Sequence, residues 1–262
     1  MTDLRRALVA SLRDGLDEET VPRLAEVVKP PGGSDEKVSC FTFVVLDDGT
    51  VGLCFNLLAD QQSRRDYDAT DGSLFVGRDA LEVAEDLLHP SIVHRIVGYA
   101  ACSALSQLLF RRGAPVVEET DLFELLDPQQ GDHVGVVGYA PPMVRRIARS
   151  AGQVTVLEKR EKKGGDNIHV TTGAEELGDC NKVLVTSTTL LNDSLGDIAR
   201  ITTGASFRAL YGPGAGILPT VFFQRGFQAV AGLQVTDPAL LVERQRAGKR
   251  WGDAKKKIVL KA

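Results

Sequence analysis

The chain is 262 residues long, with 43% apolar and 25% charged residues, the profile of a soluble globular protein with one large domain or two ordinary ones. A net charge of −4 excludes a global field that would recruit nucleic acid or anionic membrane. The sequence shows no uninterrupted apolar run of bilayer length, no signal-peptide core and no C-x-x-C pair among Cys40, Cys54, Cys102 and Cys180, which predicts a cytoplasmic protein with reduced thiols and neither a membrane nor a nucleic-acid partner.

Residues 3 to 28 carry Leu4, Leu8, Leu12, Leu16, Leu24 and Val28 at roughly helical spacing, with a break and restart at "DEET" and Pro22. "KPPGGSDE", 29 to 36, is loop by composition. Two strand-like runs, "KVSCFTFVVL" and "TVGLCFNLL", flank "DDG", a hairpin signal. A polar connection over 60 to 73 leads to two helices, "GRDALEVAEDLLHP" and "SIVHRIVGYAACSALSQLLFRRG". Pro90 separates them, Ser91 suits an N-cap and Gly113 a stop. This order predicts a small α+β domain over 1–113.

From 114 the rhythm changes. The apolar runs "HVGVVGY", "QVTVLEK", "NKVLVTSTT", "SFRALYGPG" and "FQAVAGLQV" alternate with helical or polar segments. That alternation predicts an α/β, Rossmann-like, doubly wound parallel sheet over 114–250. The basic tail, 251–262, shows no structural period and reads as a solvated end.

Ligands of such sheets sit beyond the carboxyl ends of the strands. In "GYAPP", Gly135 and Gly138 lack the third glycine of a dinucleotide loop, and Pro141 and Pro142 have no N–H for a pyrophosphate. Gly138, Tyr139 and Pro141 therefore form either a rigid turn or the rim of a different ligand site. Glu158, in "EKREKKGG", stands where a ribose-binding carboxylate sits, or in an ordinary solvated run. Thr186, Ser187, Thr188, Thr189 and Asn192 gather small donors and acceptors that line a polar ligand or cap local turns. Gly212, Pro213, Gly214 and Ala215 permit close backbone approach and an anion nest, or make a plain connection. Thr236 and Asp237 read first as caps of a helix that begins at Pro238.

His89, His94, His133 and His169 have no metal-ligand spacing, and His89 and His94 share no helix face. No H-E-x-x-H, P-loop or G-x-S-x-G occurs. No metal ligand is assigned, and no cofactor is specified.

In order, "VGVVGYAPPMVRRI", "VTVLEKR", "VLVTSTTLLNDSL", "YGPGAGILP" and "VAGLQVTDP" resemble the bacterial and archaeal family named for heavy-metal chelation, whose function is unknown. The likeness covers most of 130 to 240. The hairpin "TVGLCFNLL" resembles the family's companion domain, which looks like the enolase N-terminal fold. The resemblance implies a site in the cleft between the domains, faced by Asn56, Tyr139, Glu158, Thr188, Asn192 and Gly214, and a link to metal chelation or chelator metabolism. Three readings follow: a protein, enzyme or not, that handles a small polar or anionic metabolite in that cleft; a non-catalytic metal-binding or scaffold protein; and, weaker, an NAD(P)-dependent oxidoreductase. A homodimer is the base-rate expectation.

Overall fold

The computed structural model describes residues 4–17, 20–31, 40–113, 121–159 and 163–262. The loop expected at 29–36 lies from residue 32 onward outside the described residues, as do Arg160, Glu161 and Lys162 of the charged run.

Helix α1 (Leu4–Gly15) buries Leu4, Leu8 and Leu12, as their spacing predicts. The expected restart is not helical. Leu24 and Val28 lie on strand β1 (Leu24–Val28), which pairs antiparallel with β2 (Phe41–Leu46). A four-residue step fits one face of a helix and one face of a strand equally, so the spacing alone does not choose between them. β2 turns at Asp47–Gly49 into β3 (Val51–Phe55), with Gly49 at φ +80, and the hairpin becomes a three-stranded meander. The connection read as polar loop contains α2 (Gln61–Ala69), capped by Asp60, whose carboxylate accepts the Ser63 N–H at 2.7 Å. Then come α3 (Ala80–Glu85) and α4 (Ile92–Arg111).

α4 corrects a second expectation. It is long and apolar enough, by length and composition, to cross a membrane. Here that apolar surface is buried in the main core with α1, β2, β3 and one face of the larger sheet. A Cβ on Gly52 of β3 would come within 2.1 Å of the Ala104 nitrogen, so strand and helix touch backbone to backbone.

The rest of the chain runs α5 (Leu122–Leu126), β4 (His133–Val137), α6 (Pro141–Ala148), β5 (Gln153–Leu157), β6 (Ile168–Thr171), β7 (Lys182–Thr186), α7 (Leu195–Ile201), β8 (Phe207–Tyr211), α8 (Thr220–Phe223), β9 (Ala229–Val235), α9 (Pro238–Arg246) and β10 (Lys255–Lys261). Its seven strands lie in the order β10-β9-β8-β7-β4-β5-β6. All are parallel except β10. This is the doubly wound, Rossmann-like order, with β10 added at the edge.

Edge strands β6 and β10 were not expected. In the tail that read as a solvated end, Lys255–Lys261 pair with β9. Its period of two is hidden among lysines: Ile258 and Leu260 join one core and Val259 the other. Val183 and Val185 alternate with Leu184 in the same way on β7. A one-residue slip would exchange the two faces, which is why the register holds. The small sheet closes its remaining face with Leu241, Val242 and Trp251 of the C-terminal region.

Asp132 ties the starts of β4 and β7 together. It accepts from Lys182 Nζ at 2.8 Å, the Gln129 N–H at 2.7 Å and Asn181 Nδ2 at 2.7 Å. Burial pushes its carboxyl up, but Lys182, Gln129 and Asn181 together hold it below the ordinary range. A carboxyl lowered by folding stabilises above its unfolded pKa of about 4, and that contribution fades as pH falls through the folded value. Asp132→Asn is expected to cost about 1–3 kcal/mol at neutral pH. The gap to the wild type should narrow below about pH 4 in urea titrations; a gap independent of pH would contradict the ion-pair account.

Candidate functional site

β4 has β5 on one side and β7 on the other, so the connections leaving β4 and β7 diverge and open a crevice at the strand ends. Gly138 ends β4 at φ +88, and a Cβ there would lie 3.0 Å from Thr186 Cγ2. The two loops that flank the switch point are therefore in contact.

One wall is held by a carboxylate. Glu158 Oε2 accepts the Tyr139 N–H at 3.0 Å, and Oε1 accepts the Lys159 N–H at 2.8 Å. The Gly138 N–H goes to Leu157 O at 2.9 Å. From β8, the Tyr211 hydroxyl donates to Gly138 O at 3.0 Å. Burial, and then the nearby Glu158 charge, push that hydroxyl well above its ordinary pKa, so it stays a donor. Glu158 thus uses a loop amide that a pyrophosphate would need, and Pro141 and Pro142, at the first turn of α6, offer none.

The facing wall is the hydroxyl run. Thr186 Oγ1 and Thr188 Oγ1 are 3.2 Å apart, both half-buried. Ser187 is buried and hydrogen-bonded to Tyr99 of α4, whose hydroxyl also donates to Gly214 O at 2.9 Å. Thr189 and Asn192 serve the turn: Thr189 Oγ1 donates to Thr186 O at 2.7 Å, and Asn192 Oδ1 accepts from Ser194 N–H and Oγ. The glycine-rich loop closes the third side. Gly212 is at φ +123, with its missing Cβ 3.6 Å from Ser187 Oγ, and Gly214's would lie 3.4 Å from the same oxygen.

Of the two readings of this loop, anion nest or plain connection, three of its amides fit the second. Gly212 N–H donates to Ala231 O, Ala215 N–H to Gly212 O and Ile217 N–H to Ala215 O, while Pro213 has no N–H. These amides close the loop's own turn and anchor it to β9. Ala215 is core. Thr236 and Asp237 are exposed; Asp237 is the N-cap of α9 and accepts the Leu240 N–H at 2.9 Å, whereas Thr236 Oγ1 donates to Asp253 O at 2.8 Å and caps nothing on α9. Asn56 accepts from Thr42 Oγ1 at 2.6 Å and donates to the Tyr67 hydroxyl at 3.3 Å, a network inside the small sheet and α2. Burial pushes Tyr67 up to about 12, so it too remains a phenol.

His89 and His94 share no helix face, yet their rings stack with centroids 4.0 Å apart. His89 precedes the Ser91 cap and folds back, and backbone rather than helix periodicity brings the rings together. His133 contacts Thr155, and His169 pairs with Glu176. Among the described residues, no three of His, Cys, Asp and Glu converge on a common point.

The chief omission of the sequence reading is α4. Arg95, Tyr99, Ser103 and Gln107 recur at every fourth position of a largely apolar helix. That stripe was the available signal. Gln107 donates to Leu233 O at 2.9 Å and Gly216 O at 3.3 Å and accepts the Val235 N–H at 3.0 Å. Ser103 accepts the Leu53 N–H at 3.2 Å. The helix thereby fastens the loop after β8 to β9 and to the small sheet.

Comparison with known proteins gives two family models, both described as "Putative heavy-metal chelation", which match residues 121–262 and 39–106. A crystal structure of a protein of unknown function from Desulfitobacterium hafniense superposes with a TM-score of 0.76 at 20% identity, covering 98% of each chain. One from Pyrococcus horikoshii gives 0.76 at 19% identity, covering 99% of this chain and 100% of that one. At such identities the likeness is one of fold. An uncharacterized protein of Methanocaldococcus jannaschii is 29% identical over 150 residues, and the chain spans 56% of the length of that curated relative.

Proposed function

The chain belongs to the heavy-metal chelation family, and from that premise we propose that it binds a small polar, anionic metabolite in the crevice between the loops after β4, β7 and β8, in the metabolism of a metal chelator. The observation that carries this reading is the meeting of Gly138, Thr186, Ser187 and Gly212 at the switch point, with hydroxyls on one side and Glu158 on the other.

The residues present do not fit a bare soft metal ion. Among the described residues no three of His, Cys, Asp and Glu converge on a common point, and burial pushes the Cys102 and Cys180 thiols up to about 12 and Cys54 well above its ordinary value, which makes the thiolate that a metal needs costly at each. In this reading a metal arrives wrapped in an organic ligand, and the chain recognises the oxygen and nitrogen atoms of that ligand. Free thiols suit a cytoplasmic setting. A dinucleotide is the weaker occupant, because Glu158 already holds the loop amide it would use.

Crystals of the chain as purified, and soaked with nucleotides, S-adenosylmethionine and pterins, are expected to hold density between Gly138, Thr188 and Gly212. Thr188→Val should weaken the bound compound by about five- to tenfold, the worth of one neutral hydrogen bond. Ligand density wholly outside the crevice would falsify the reading.

A further inference from the structure

Residues 243–262 carry eight lysines and arginines against Glu243 and Asp253, in a chain whose net charge is −4. Two of the arginines are matched by acids: Arg244 pairs with Asp253 at 3.2 Å, and Arg246 is bonded to Glu26. The lysines of β10 stand at the edge of the large sheet. That strand pairs with β9 on one side, and among the described residues no strand lies on the other. A strand edge offers a row of N–H and C=O groups that a further strand can take up.

Side chains alternate across a strand, so β10 has two unlike faces. Lys255, Lys257, Val259 and Lys261 share one, and Lys256, Ile258 and Leu260 share the other. Ile258, Val259 and Leu260 are buried, whereas Lys255 is half-buried and Lys257 exposed. Lys255 lies opposite Val235 and Lys257 opposite Leu233, so both stand toward the carboxyl end of β9. Lys257 enters the field of Asp121, but that carboxylate already takes Arg146 Nη1 at 3.0 Å and the Phe123 N–H at 2.8 Å.

Charge decides what this edge admits. A second copy of β10 would set lysine against lysine, and like charges directly opposite each other disfavour pairing. Trp251, the chain's one tryptophan, is buried, so it gives nucleic-acid bases no face to stack on. An extended strand with acidic side chains at alternate positions meets Lys255 and Lys257 with opposite charge and offers its backbone along the edge. We propose that β10 is a docking edge for such a segment of a partner protein, alternately acidic and apolar, which adds to the large sheet beside it. This edge serves whether or not the crevice holds a metabolite.

The test is fluorescence anisotropy of the whole chain with labelled probes: a peptide alternating Glu and Val, a peptide of the same composition with all its Glu first, and a single-stranded oligonucleotide of similar length. The alternating peptide should bind saturably, about fivefold or more tighter than the block peptide, and more weakly as salt is raised. Lys255→Glu and Lys257→Glu together should weaken it by about tenfold, because two attractive cross-strand pairs become repulsive. The same double variant should bind a peptide alternating Lys and Val, which the wild type refuses. In amide hydrogen exchange, the alternating peptide should slow the amides of Lys255–Lys261. If the double variant fails to fold by circular dichroism, that exchange footprint on the wild type decides the matter. No binding of the alternating peptide by the wild type overturns the proposal, as do equal affinity for the block peptide, binding that charge reversal leaves unchanged, or no slowing in β10. An oligonucleotide that binds more tightly and needs the same lysines overturns it too, and makes the patch a nucleic-acid surface.

Discussion

Gly52→Ala is expected to destabilise the protein by about 3 kcal/mol, the upper range for overpacking a filled core. For a chain of this size that lowers Tm by roughly 6–12 °C. The added Cβ would lie 2.1 Å from Ala104 N and 2.2 Å from Ala100 O, both backbone atoms of α4. Neither can step aside as a side-chain tip could, so β3 must move as a strand. Gly196→Ala is the control: nothing lies within 4 Å of its Cβ position on α7, and the substitution should be neutral or stabilising by about 0.4–1 kcal/mol. Calorimetric melts of the two variants check this. Equal Tm values would mean that β3 and α4 are not in backbone contact.

Gln107→Leu should be of similar size, about 3 kcal/mol or more. It strands two buried carbonyls and one amide, each worth about 1–3 kcal/mol when left unpaired. Leucine fills much the same volume, so cavity formation contributes little and the loss reports the hydrogen bonds. The carbonyls belong to Gly216 and Leu233 and the amide to Val235, so the loop after β8 should loosen together with the end of β9. Urea titration gives the loss of stability, and amide hydrogen exchange shows where it falls. The prediction fails if the loss is under about 1 kcal/mol or if exchange quickens uniformly, as global unfolding would require.

Position explains why these two sites matter to function. The crevice residues sit on loops, several of which, such as those of Ser187 and Gly214, pack against Tyr99 of α4. Their placement comes from α4, which faces the small sheet through Gly52 and the large sheet through Tyr99 and Gln107.

How much of this was readable in the sequence depended on whether a signal was local. Alternating apolar runs and their helical spacers marked the parallel strands β4, β5, β7, β8 and β9 because each carries its own pattern. The same runs located the crevice loops, since strand ends follow from strand positions. Asp237 as a cap was readable because a cap lies within a few residues of what it caps. β10 was missed because its apolar residues are three among lysines, and only pairing with β9 makes them a buried stripe.

The sequence by itself therefore determined the α/β class, the loops that meet at the switch point, and a first turn poor in phosphate donors, Pro141 and Pro142. Each of these follows from residue type and short-range spacing. Only the tertiary structure decided which groups remain available once the chain has folded. Glu158 binds the Tyr139 amide, the glycine-rich loop binds itself, Asn56 turns to Thr42 and Tyr67, and Arg95 is left with a buried, unpartnered Nε. Whether a polar group is spent or left over depends on partners tens of residues away, and no local pattern records them.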